Sequence, residues 1–220
     1  IEYIIIDGKS SDSTTDIVNN YQATYSYIKM VSENDSGIYD ALNKGLALAT
    51  GDVIGFLHSD DLFPSNTIIS ELASKINNDN LDGIYGDLQY VTKENTNKII
   101  RFWKSCEFRP ELLKMGWMPA HPTLFLKKEI YLKHGQFNKS FEISADYDFM
   151  LRVLKDKTFK FGYLQKVITK MRLGGASNRN IKNIIKKTKE DLRALRLNNI
   201  GGIFSLILKN TRKIKQFFIK

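Results

Sequence analysis

The stretch SENDSGIYDALNKGLALATGDVIGFLHSDD, residues 32–61, carries the pattern that decides the fold. Its central part has the spacing of a helix, followed by Gly51 at a suitable terminal position. The apolar residues on one helical face are Ile38, Leu42, Leu46 and Ala49. Residues 52–61 are then apolar until they end in polar side chains and two acids, which predicts a buried strand with an acidic carboxyl end. A helix that leads directly into a buried strand is typical of α/β folds.

The segments before this stretch repeat the alternation. Residues 2–7, EYIIID, are a continuous apolar run and predict a strand that is buried on both faces. Residues 10–21 offer Ser and Asp side chains as helix caps, and residues 27–33, YIKMVSE, predict the next strand. We therefore predict an α/β fold with a mostly parallel sheet flanked by helices. Since Ile1 falls within a strand already under way, we expect an earlier strand and helix to be missing from the sequence.

The second half of the chain continues the α/β pattern. The expected elements are a hairpin, a helix and two more strands, at residues 83–91 with 97–103, 144–154, 159–164 and 166–173. From about residue 178 the sequence is helical, basic and apolar by turns. We predict a catalytic domain at residues 1–177 and a basic amphipathic helical extension at residues 178–220.

Composition indicates a globular protein. Of the 220 residues, 42% are hydrophobic and 26% are charged, which argues against disorder. Cys106 is the one cysteine, so it has no internal disulfide partner, and we expect it to be a buried packing residue. The apolar run at residues 203–208 is far shorter than the roughly 20 residues that a membrane-spanning helix needs. We therefore expect a chain that does not cross a membrane.

The net charge of +9 is concentrated in the C-terminal extension. Residues 178–220 contain 12 Lys and Arg against two acids, whereas the rest of the chain contains 21 basic and 22 acidic residues. A basic amphipathic helix suits an anionic membrane surface, where each Lys or Arg contributes about 1 kcal/mol at most. The alternative is a helix that packs on its own domain with a solvated basic face.

Acids follow two of the predicted strands. Asp7 ends the first, and Asp60 with Asp61 ends the strand at residues 52–61, so these side chains are expected to meet at one sheet edge. Each taken alone also fits an ordinary turn. Adjacent carboxylates suit Mg²⁺ or Mn²⁺, which take oxygen ligands and keep substrate phosphates in the remaining positions. The sequence contains neither a zinc-ligand pattern nor a P-loop or dinucleotide motif.

Four segments resemble the inverting family 2 glycosyltransferases, which have a GT-A fold. They are IEYIIIDGKSSDST (1–14), SENDSGIYDALNKGLALATGDVIGFLHSDD (32–61), HPTLFLKKEIYLKHGQFNKSFEISADYDFMLRVL (121–154) and MRLGGASN (171–178). The resemblance implies a Rossmann-like GT-A domain that binds a nucleotide-sugar donor. It runs in the expected order from residue 1 to about residue 178.

The resemblance also implies donor-site residues. Asp7 is the candidate that reads the nucleotide base, and a group on the following segment lines the donor site: Asp35, Gly37, Asn43 and Lys44. Lys44 equally fits a solvated helix residue that is paired at i+4 with Asp40. At Gly174 and Gly175 the backbone has room to approach a diphosphate, with a plain loop as the alternative.

The D-x-D motif of the family falls on His58, Ser59 and Asp60, so His replaces its first acid here. The resemblance then implies that Asp60, helped by Asp61, holds a divalent Mg²⁺ or Mn²⁺ and the donor ribose. His58 is interpreted as a polar residue at a strand end and not as a metal ligand.

The catalytic base implied by the resemblance is Asp146, at the start of the helix SADYDFMLRVL. A carboxylate there can take the proton of an acceptor hydroxyl as its oxygen attacks the anomeric carbon, which helps typically by about 10²- to 10⁴-fold. Favourable placement of an acid at a helix N-terminus is the alternative. Asp148 lies about 200° around the helix from Asp146 and is interpreted as structural or as a secondary acceptor contact. His121 is a candidate for the acceptor cleft.

These residues predict an inverting glycosyltransferase of the hexosyltransferase type. The donor is a nucleotide-diphosphate sugar, with a UDP-sugar as the leading candidate, and the acceptor is a saccharide or a lipid-linked saccharide in cell-surface polysaccharide synthesis. The expected location is the cytoplasmic face of a bacterial inner membrane, without nucleic acid as a partner. The alternatives are a nucleotidyltransferase, a basic nucleic-acid-binding protein and a catalytically inactive glycosyltransferase-like fragment.

Overall fold

A computed structural model describes residues 1–173 and 181–217. Its strands are β1 (Tyr3–Asp7), β2 (Ile28–Ser32), β3 (Val53–Gly55), β4 (Asp61–Leu62), β5 (Gly83–Val91), β6 (Ile99–Trp103), β7 (Phe125–Lys127) and β8 (Phe161–Arg172). Its helices are α1 (Thr14–Thr24), α2 (Ile38–Leu48), α3 (Ile68–Asn78), α4 (Glu111–Lys114), α5 (Lys128–His134), α6 (Ala145–Leu154), α7 (Ile181–Leu197) and α8 (Ile203–Lys215). A 3-10 turn covers His121–Thr123.

The predicted α/β fold is confirmed, but its six-stranded sheet is mixed and not mostly parallel, whereas the two-stranded sheet of β1 and β2 is parallel. β1 pairs with β2 and β5 pairs with β8 in parallel, whereas the four other pairs between described strands, β3–β7, β5–β7, β5–β6 and β4–β8, are antiparallel. The hairpin of β5 and β6 is confirmed. β7 follows a 3-10 turn and β4 has two residues, so neither is preceded by the crossover helix that a parallel strand requires.

The expectation that the first strand is buried on both faces is wrong. Ile4, Ile5 and Ile6 of β1 are only half-buried. Among the described strands β1 pairs with β2 alone, so its other edge has no neighbour. On one face β1 packs against α2, because a Cβ added to Gly45 would lie 3.4 Å from Cγ1 of Ile6.

Helix α6 lies at the centre of the main core and explains why two acids occur beside an apolar run. Eight of its ten residues are buried, and the half-buried exceptions are Asp146 and Arg152. Aromatic rings surround the helix, with Phe149 stacked on Tyr131 at a centroid distance of 5.0 Å and packed against Phe137 at 5.0 Å. A helix that is apolar almost all round is a core helix, so the half-exposed Asp146 marks the place where the core opens.

The C-terminal helices pack against the rest of the chain. Ala194 and Leu195 of α7 and Leu206 of α8 are buried in the main core. The Ser205 hydroxyl donates to the Lys114 carbonyl at 2.6 Å, and the Phe102 amide of β6 donates to the Gln216 carbonyl at 2.9 Å. This packing favours the alternative of a helix docked on its own domain. The predicted boundary at residues 177 and 178 lies outside the described residues.

Within residues 1–173 and 181–217, no helix has both the length and the apolar character that a membrane span requires. The expectation that Cys106 is buried is wrong, because its side chain is exposed.

Candidate active site

Asp146 is held at the N-terminus of α6 by a tyrosine from another helix. The hydroxyl of Tyr39, on α2, lies 3.1 Å from Oδ1 of Asp146 and donates to the Ile143 carbonyl at 2.6 Å. Burial raises the pKa of Tyr39 strongly, so the phenol stays neutral and acts as a hydrogen-bond donor. The Tyr39 hydroxyl therefore fixes the backbone before α6 and lies beside the carboxylate that α6 presents.

Two acids of α7 fix the turn that leads into α6. The Glu190 carboxylate accepts hydrogen bonds from the backbone amides of residues 142, 143 and 144, at 3.1, 2.9 and 2.9 Å. The neighbouring Asp191 accepts from the Ser144 hydroxyl at 2.8 Å. Amides before a helix have no intrahelical partner, so these carboxylates satisfy donors that would otherwise be buried and unpaired. The position of Asp146 thus depends on the C-terminal helices.

Two histidines adjoin Asp146. The rings of His58 and His121 are 6.0 Å apart, and the charge of Asp146 acts on both. Burial lowers the pKa of His58 and lowers that of His121 to about 4, with a smaller opposing effect from Asp146. Both rings are therefore neutral near pH 7, and Asp146 has no imidazolium partner. His121 packs edge-on against Phe137 at 5.5 Å, so it forms part of the wall beside Asp146.

The Asp60–Asp61 pair has the character of a cation site. Asp61 is buried, and neither of its carboxylate oxygens has a hydrogen-bond partner within the described part of the chain. Burial, together with the charge of Asp60, raises the pKa of Asp61 to about 7. A buried carboxylate without a partner is costly unless a cation compensates it, so these residues fit a divalent ion such as Mg²⁺ or Mn²⁺.

An arginine lies at the same place. β4 pairs with the end of β8, and the Arg172 amide donates to the Asp60 carbonyl at 3.2 Å. Nε of Arg172 is buried and has no hydrogen-bond partner among the described residues. The structure thus brings together an unpaired carboxylate and an unpaired guanidinium nitrogen, the two kinds of group that a metal-bound diphosphate would satisfy. Within the described ranges no three His, Cys, Asp or Glu side chains form a closed metal cage.

Asp7 lies at the carboxyl end of β1 and is buried. Its Oδ2 accepts from the Ser32 hydroxyl at 2.6 Å and from the Ser10 amide at 3.1 Å. Hydrogen bonds from Ser10 and Ser32 hold the pKa of Asp7 below its ordinary value. Asp7 is therefore a fixed carboxylate at the end of the β1–β2 pair.

The predicted donor loop folds onto Asp7. Oδ1 of Asp35 accepts from the Gly37 amide at 2.9 Å, and a Cβ added to Gly8 would lie 2.6 Å from the other oxygen of Asp35. Glycine at position 37 has a physical reason, because its φ of 117° is strained for other residues. α2 begins immediately afterwards and carries Tyr39 to Asp146. A short series of contacts therefore connects the Asp7 loop with the catalytic candidate.

Asn43 and Lys44 act on the protein itself. The Asn43 side chain exchanges two 2.9 Å hydrogen bonds with the amide and carbonyl of Phe137. Nζ of Lys44 donates to the Asn34 carbonyl at 2.7 Å, and it lies 2.8 Å from Glu33 and 3.5 Å from Asp40. The ion pair with Asp40 was the alternative reading of Lys44. A direct donor contact for either residue remains a prediction, since their polar atoms are engaged within the protein.

Asp148 supports the structural interpretation. One of its carboxylate oxygens lies 3.0 Å from Nε of Arg152, and the other accepts from the Asn198 amide nitrogen at 2.9 Å. The first contact is an i,i+4 pair within α6, and the second connects α6 with the end of α7. Gly174 and Gly175, the predicted diphosphate-loop glycines, lie outside the described residues.

Sequence reasoning placed Asp146, His58 and His121 in separate roles, and the structure brings them together. It also places Tyr90 nearby, because the charges of both Asp61 and Asp146 act on that buried phenol. The expectation that Asp7 meets Asp60 and Asp61 at the edge of one sheet is wrong, because β1 pairs with β2 in a two-stranded sheet, whereas Asp61 begins β4 of the six-stranded sheet. Tyr39 and Glu190 were missed. Neither has a motif of its own, and only the order of packing between α2, α6 and α7 reveals them.

The α/β fold, the acid at the start of the central helix α6 and the acid at the end of β1 together define a class of protein, the GT-A-type glycosyltransferases. Residues 1–120 match the family model described as "Glycosyl transferase family 2". The chain belongs to this family, and the predicted glycosyltransferase class is confirmed.

Individual relatives agree with this assignment. A protein of Mycobacterium bovis named PGL/p-HBAD biosynthesis glycosyltransferase is 29% identical over 180 residues, which are 80% of this chain and 68% of that protein. The structure of S. aureus TarS residues 1–349 in complex with UDP has a TM-score of 0.68 at 17% identity, covering 95% of this chain and 59% of that one.

A second solved structure shares the fold. It is the mannosyltransferase PcManGT from Pyrobaculum calidifontis in complex with GDP-Man and Mn²⁺, with a TM-score of 0.61 at 15% identity, covering 99% of this chain and 64% of that one. The chain therefore spans about three fifths of these two solved structures. At this level of identity the likeness concerns the fold.

Proposed function

We propose that the protein is an inverting glycosyltransferase that uses a nucleotide-diphosphate sugar, with a UDP-sugar as the leading candidate. It transfers the sugar to a hydroxyl of a saccharide or lipid-linked saccharide in cell-surface polysaccharide synthesis. One observation carries the proposal. The Asp61 carboxylate and Nε of Arg172 are buried on neighbouring strands, and neither has a hydrogen-bond partner among the described residues. That these groups lack partners within the described residues favours a ligand that is both cationic and anionic, which a metal-bound diphosphate is.

Donor binding is assigned to the loops at the carboxyl ends of β1 and β2. Asp7 accepts a hydrogen bond from the nucleotide base, and the loop of Asp35 and Gly37 lines the sugar-nucleotide cleft. Asp60 and Asp61 hold Mg²⁺ or Mn²⁺, which when bound neutralises charge on the diphosphate leaving group. Support comes from family 2 membership and from the UDP and GDP-Man with Mn²⁺ in structurally similar proteins.

Asp146 acts as the general base. Its carboxylate takes the proton of the acceptor hydroxyl while that oxygen attacks the anomeric carbon, and the bond to the diphosphate breaks on the opposite face. The configuration inverts, since no enzyme–sugar bond forms. Tyr39 positions the carboxylate, and the neutral His58 and His121 leave its charge free of an adjacent imidazolium.

A peripheral position on the inner face of a bacterial cytoplasmic membrane fits the outer surface of the C-terminal helices. α8 exposes four large apolar side chains within one arc: Ile203, Phe204, Ile207 and Ile214. α7 exposes basic side chains at Lys182, Lys189, Arg193 and Arg196. Apolar anchors beside basic side chains match an anionic lipid surface.

Nucleotide binding tests the proposed function. UDP with Mn²⁺ is expected to bind the wild-type protein, and Asp61→Asn is expected to weaken that binding at least about 10-fold by removing a buried charge beside the diphosphate. Isothermal titration calorimetry measures both affinities, with UDP release from a panel of UDP-sugars as the activity readout.

Asp52→Asn is the matched control, because this substitution removes the same charge at an exposed position before β3. Its affinity for UDP is expected to equal that of the wild type. Absence of Mn²⁺-dependent UDP binding in the wild type, or equal binding by Asp61→Asn, would refute the assignment.

A further inference from the structure

A second group of cations lies near Asp146, and Arg172 is not one of its members. It comprises four side chains from three elements, which we call the basic cluster: Arg101 of β6, Lys187 of α7, and Lys209 and Lys213 of α8. The mechanism described above uses none of them. Their positions, their burial and the shortage of carboxylates among them indicate a binding site for an anion.

Lys209 is the innermost member. It is 4% exposed, lies 2.7 Å from Oδ2 of Asp191, and has its Nζ 3.3 Å from the ring centroid of Tyr147 on α6. The other oxygen of Asp191 is engaged by the Ser144 hydroxyl. The hydroxyl of Tyr147 is buried and has no hydrogen-bond partner among the residues that the structure describes. An unpaired donor group therefore lies at the inner end of the basic cluster.

The remaining members lack carboxylate partners. Lys187 and Lys213, both half-buried, form no hydrogen bond or ion pair with any described residue. Arg101 donates from Nε at 2.8 Å to a neutral oxygen, Oε1 of Gln216. Residues 174–180 and 218–220 contain no Asp or Glu that could serve. Among the four cations of the basic cluster, only Lys209 forms an ion pair with a carboxylate of the described residues, that of Asp191.

This arrangement is unfavourable without a ligand. Burial, followed by the charges of Lys187 and Lys209, lowers the pKa of Lys213 to about 7, and burial lowers that of Lys209 to about 8. The carboxylate of Asp191 offsets this burial only in part, because it is already paired with Lys209, so these ammonium groups lose hydration without full compensation. An anion with more than one negative charge would restore that balance.

The basic cluster borders the cleft of Asp146. The charge of Asp146 acts on Lys209, and the guanidinium of Arg101 lies 4.7 Å from the ring centroid of Tyr90, a residue on which both Asp146 and Asp61 act. The donor diphosphate already has a cation of its own in Arg172. An anion bound by the basic cluster therefore belongs to the molecule that approaches Asp146, which is the acceptor.

We propose that the basic cluster binds a phosphate or diphosphate group carried by the acceptor substrate. The proposal rests on the proposed function, because it assigns the acceptor to Asp146. A phosphate carries a charge of about −1.5 to −2 near pH 7 and three acceptor oxygens, which suits several lysines better than a single carboxylate does. The exposed apolar arc of α8 lies on the face opposite Lys209 and Lys213, so it takes no part in this site.

The test uses decyl phosphate below its micelle concentration as the probe, with decanol as the uncharged comparison. The full chain is first saturated with UDP and Mn²⁺, and binding is followed by the fluorescence of Trp103, whose ring lies 5.8 Å from the Arg101 guanidinium. Wild-type protein is expected to bind decyl phosphate at least about 10-fold more tightly than decanol. Lys187→Gln combined with Lys213→Gln is expected to abolish that difference.

Lys182→Gln combined with Lys189→Gln is the matched control, because both lysines are exposed on α7 and the change in net charge is the same. This control is expected to bind decyl phosphate as the wild type does. UDP affinity and melting temperature, measured in all variants, separate the outcomes. If UDP binding is normal and both double variants bind decyl phosphate with equal affinity, the assignment of the basic cluster is overturned and the proposed function is not. If the wild type fails to bind UDP, the proposed function is overturned.

Two further arms distinguish other sources of phosphate. Decyl phosphate that competes with UDP would show that the donor diphosphate is the ligand of the basic cluster, against the proposal. Binding to phosphatidylcholine–phosphatidylglycerol vesicles is expected to fall for both double variants, since both reduce surface charge. A loss confined to vesicles, with unchanged decyl phosphate binding, would identify a lipid headgroup and overturn the acceptor assignment.

Discussion

At the residue scale, Asp146 and Asn43 show what a sequence pattern reveals about a side chain. Asp146 was selected because it is an acid at the start of a predicted helix within a segment that resembles the family, and its catalytic role stays a prediction. The same kind of reasoning put Asn43 at the donor, whereas its amide group is hydrogen-bonded to Phe137. Tyr39 could not be predicted, because its contact with Asp146 joins residues that are 107 positions apart in the chain. Long-range hydrogen bonds leave no local periodicity.

Asn43→Ala is expected to destabilise the fold by about 2–4 kcal/mol, because it leaves a buried backbone amide and carbonyl of Phe137 without partners. Phe137 packs against His121, so the wall of the cleft is also expected to loosen. Urea unfolding measures the change, with Asn20→Ala at an exposed site of α1 as the control. A variant as stable as the control would show that the Asn43 bridge is unimportant.

At the element scale, helices and the hairpin were predictable, whereas the bounds and the antiparallel pairing of the short strands were not. α2 and α6 have clear apolar spacing, and β5 and β6 are long enough to show a strand pattern. β4 has two residues and β7 has three, so neither has a sequence period of its own. β4 nevertheless carries Asp61 and pairs with the strand that carries Arg172. The candidate metal site thus depends on an element that sequence patterns cannot detect.

The docking of α8 is testable at one glycine. Gly116 has a φ of 71°, and a Cβ there would collide with the Ser205 carbonyl oxygen and lie 2.5 Å from the Lys209 amide nitrogen. Gly116→Ala is therefore expected to cost about 1–3 kcal/mol beyond the backbone strain alone and to displace α8. Denaturant unfolding gives the stability, and protease sensitivity of residues 203–215 reports the displacement.

Gly135→Ala is the matched control for this change. Its φ of 74° gives the same backbone strain, of about 1–2 kcal/mol, but a Cβ there would meet no atom within 4 Å. The difference between the two variants isolates the contact with α8. Equal stabilities would mean that α8 does not pack against Gly116 as described.

At the scale of the whole molecule, net charge indicates where basic residues concentrate but not which way they point. The range predicted as a basic amphipathic helical extension, residues 178–220, contains α7 and α8, and its role as a separate extension stays a prediction. The structure adds that Lys209 is buried against α6 and that Glu190 and Asp191 fix the turn before Asp146. The acids of the extension thus support the candidate base, and its inner lysines adjoin the cleft. Composition alone cannot separate these two faces.

The central claim is that Asp146 deprotonates the acceptor in a cleft whose donor site is formed by other residues. The most direct measurement is the transfer rate of Asp146→Asn at saturating UDP-sugar and Mn²⁺, together with its UDP affinity. The account predicts a rate that is lower by about 10²- to 10⁴-fold with an unchanged affinity for UDP, since the amide keeps the shape but cannot accept the proton. A variant that transfers sugar at the wild-type rate would contradict the account.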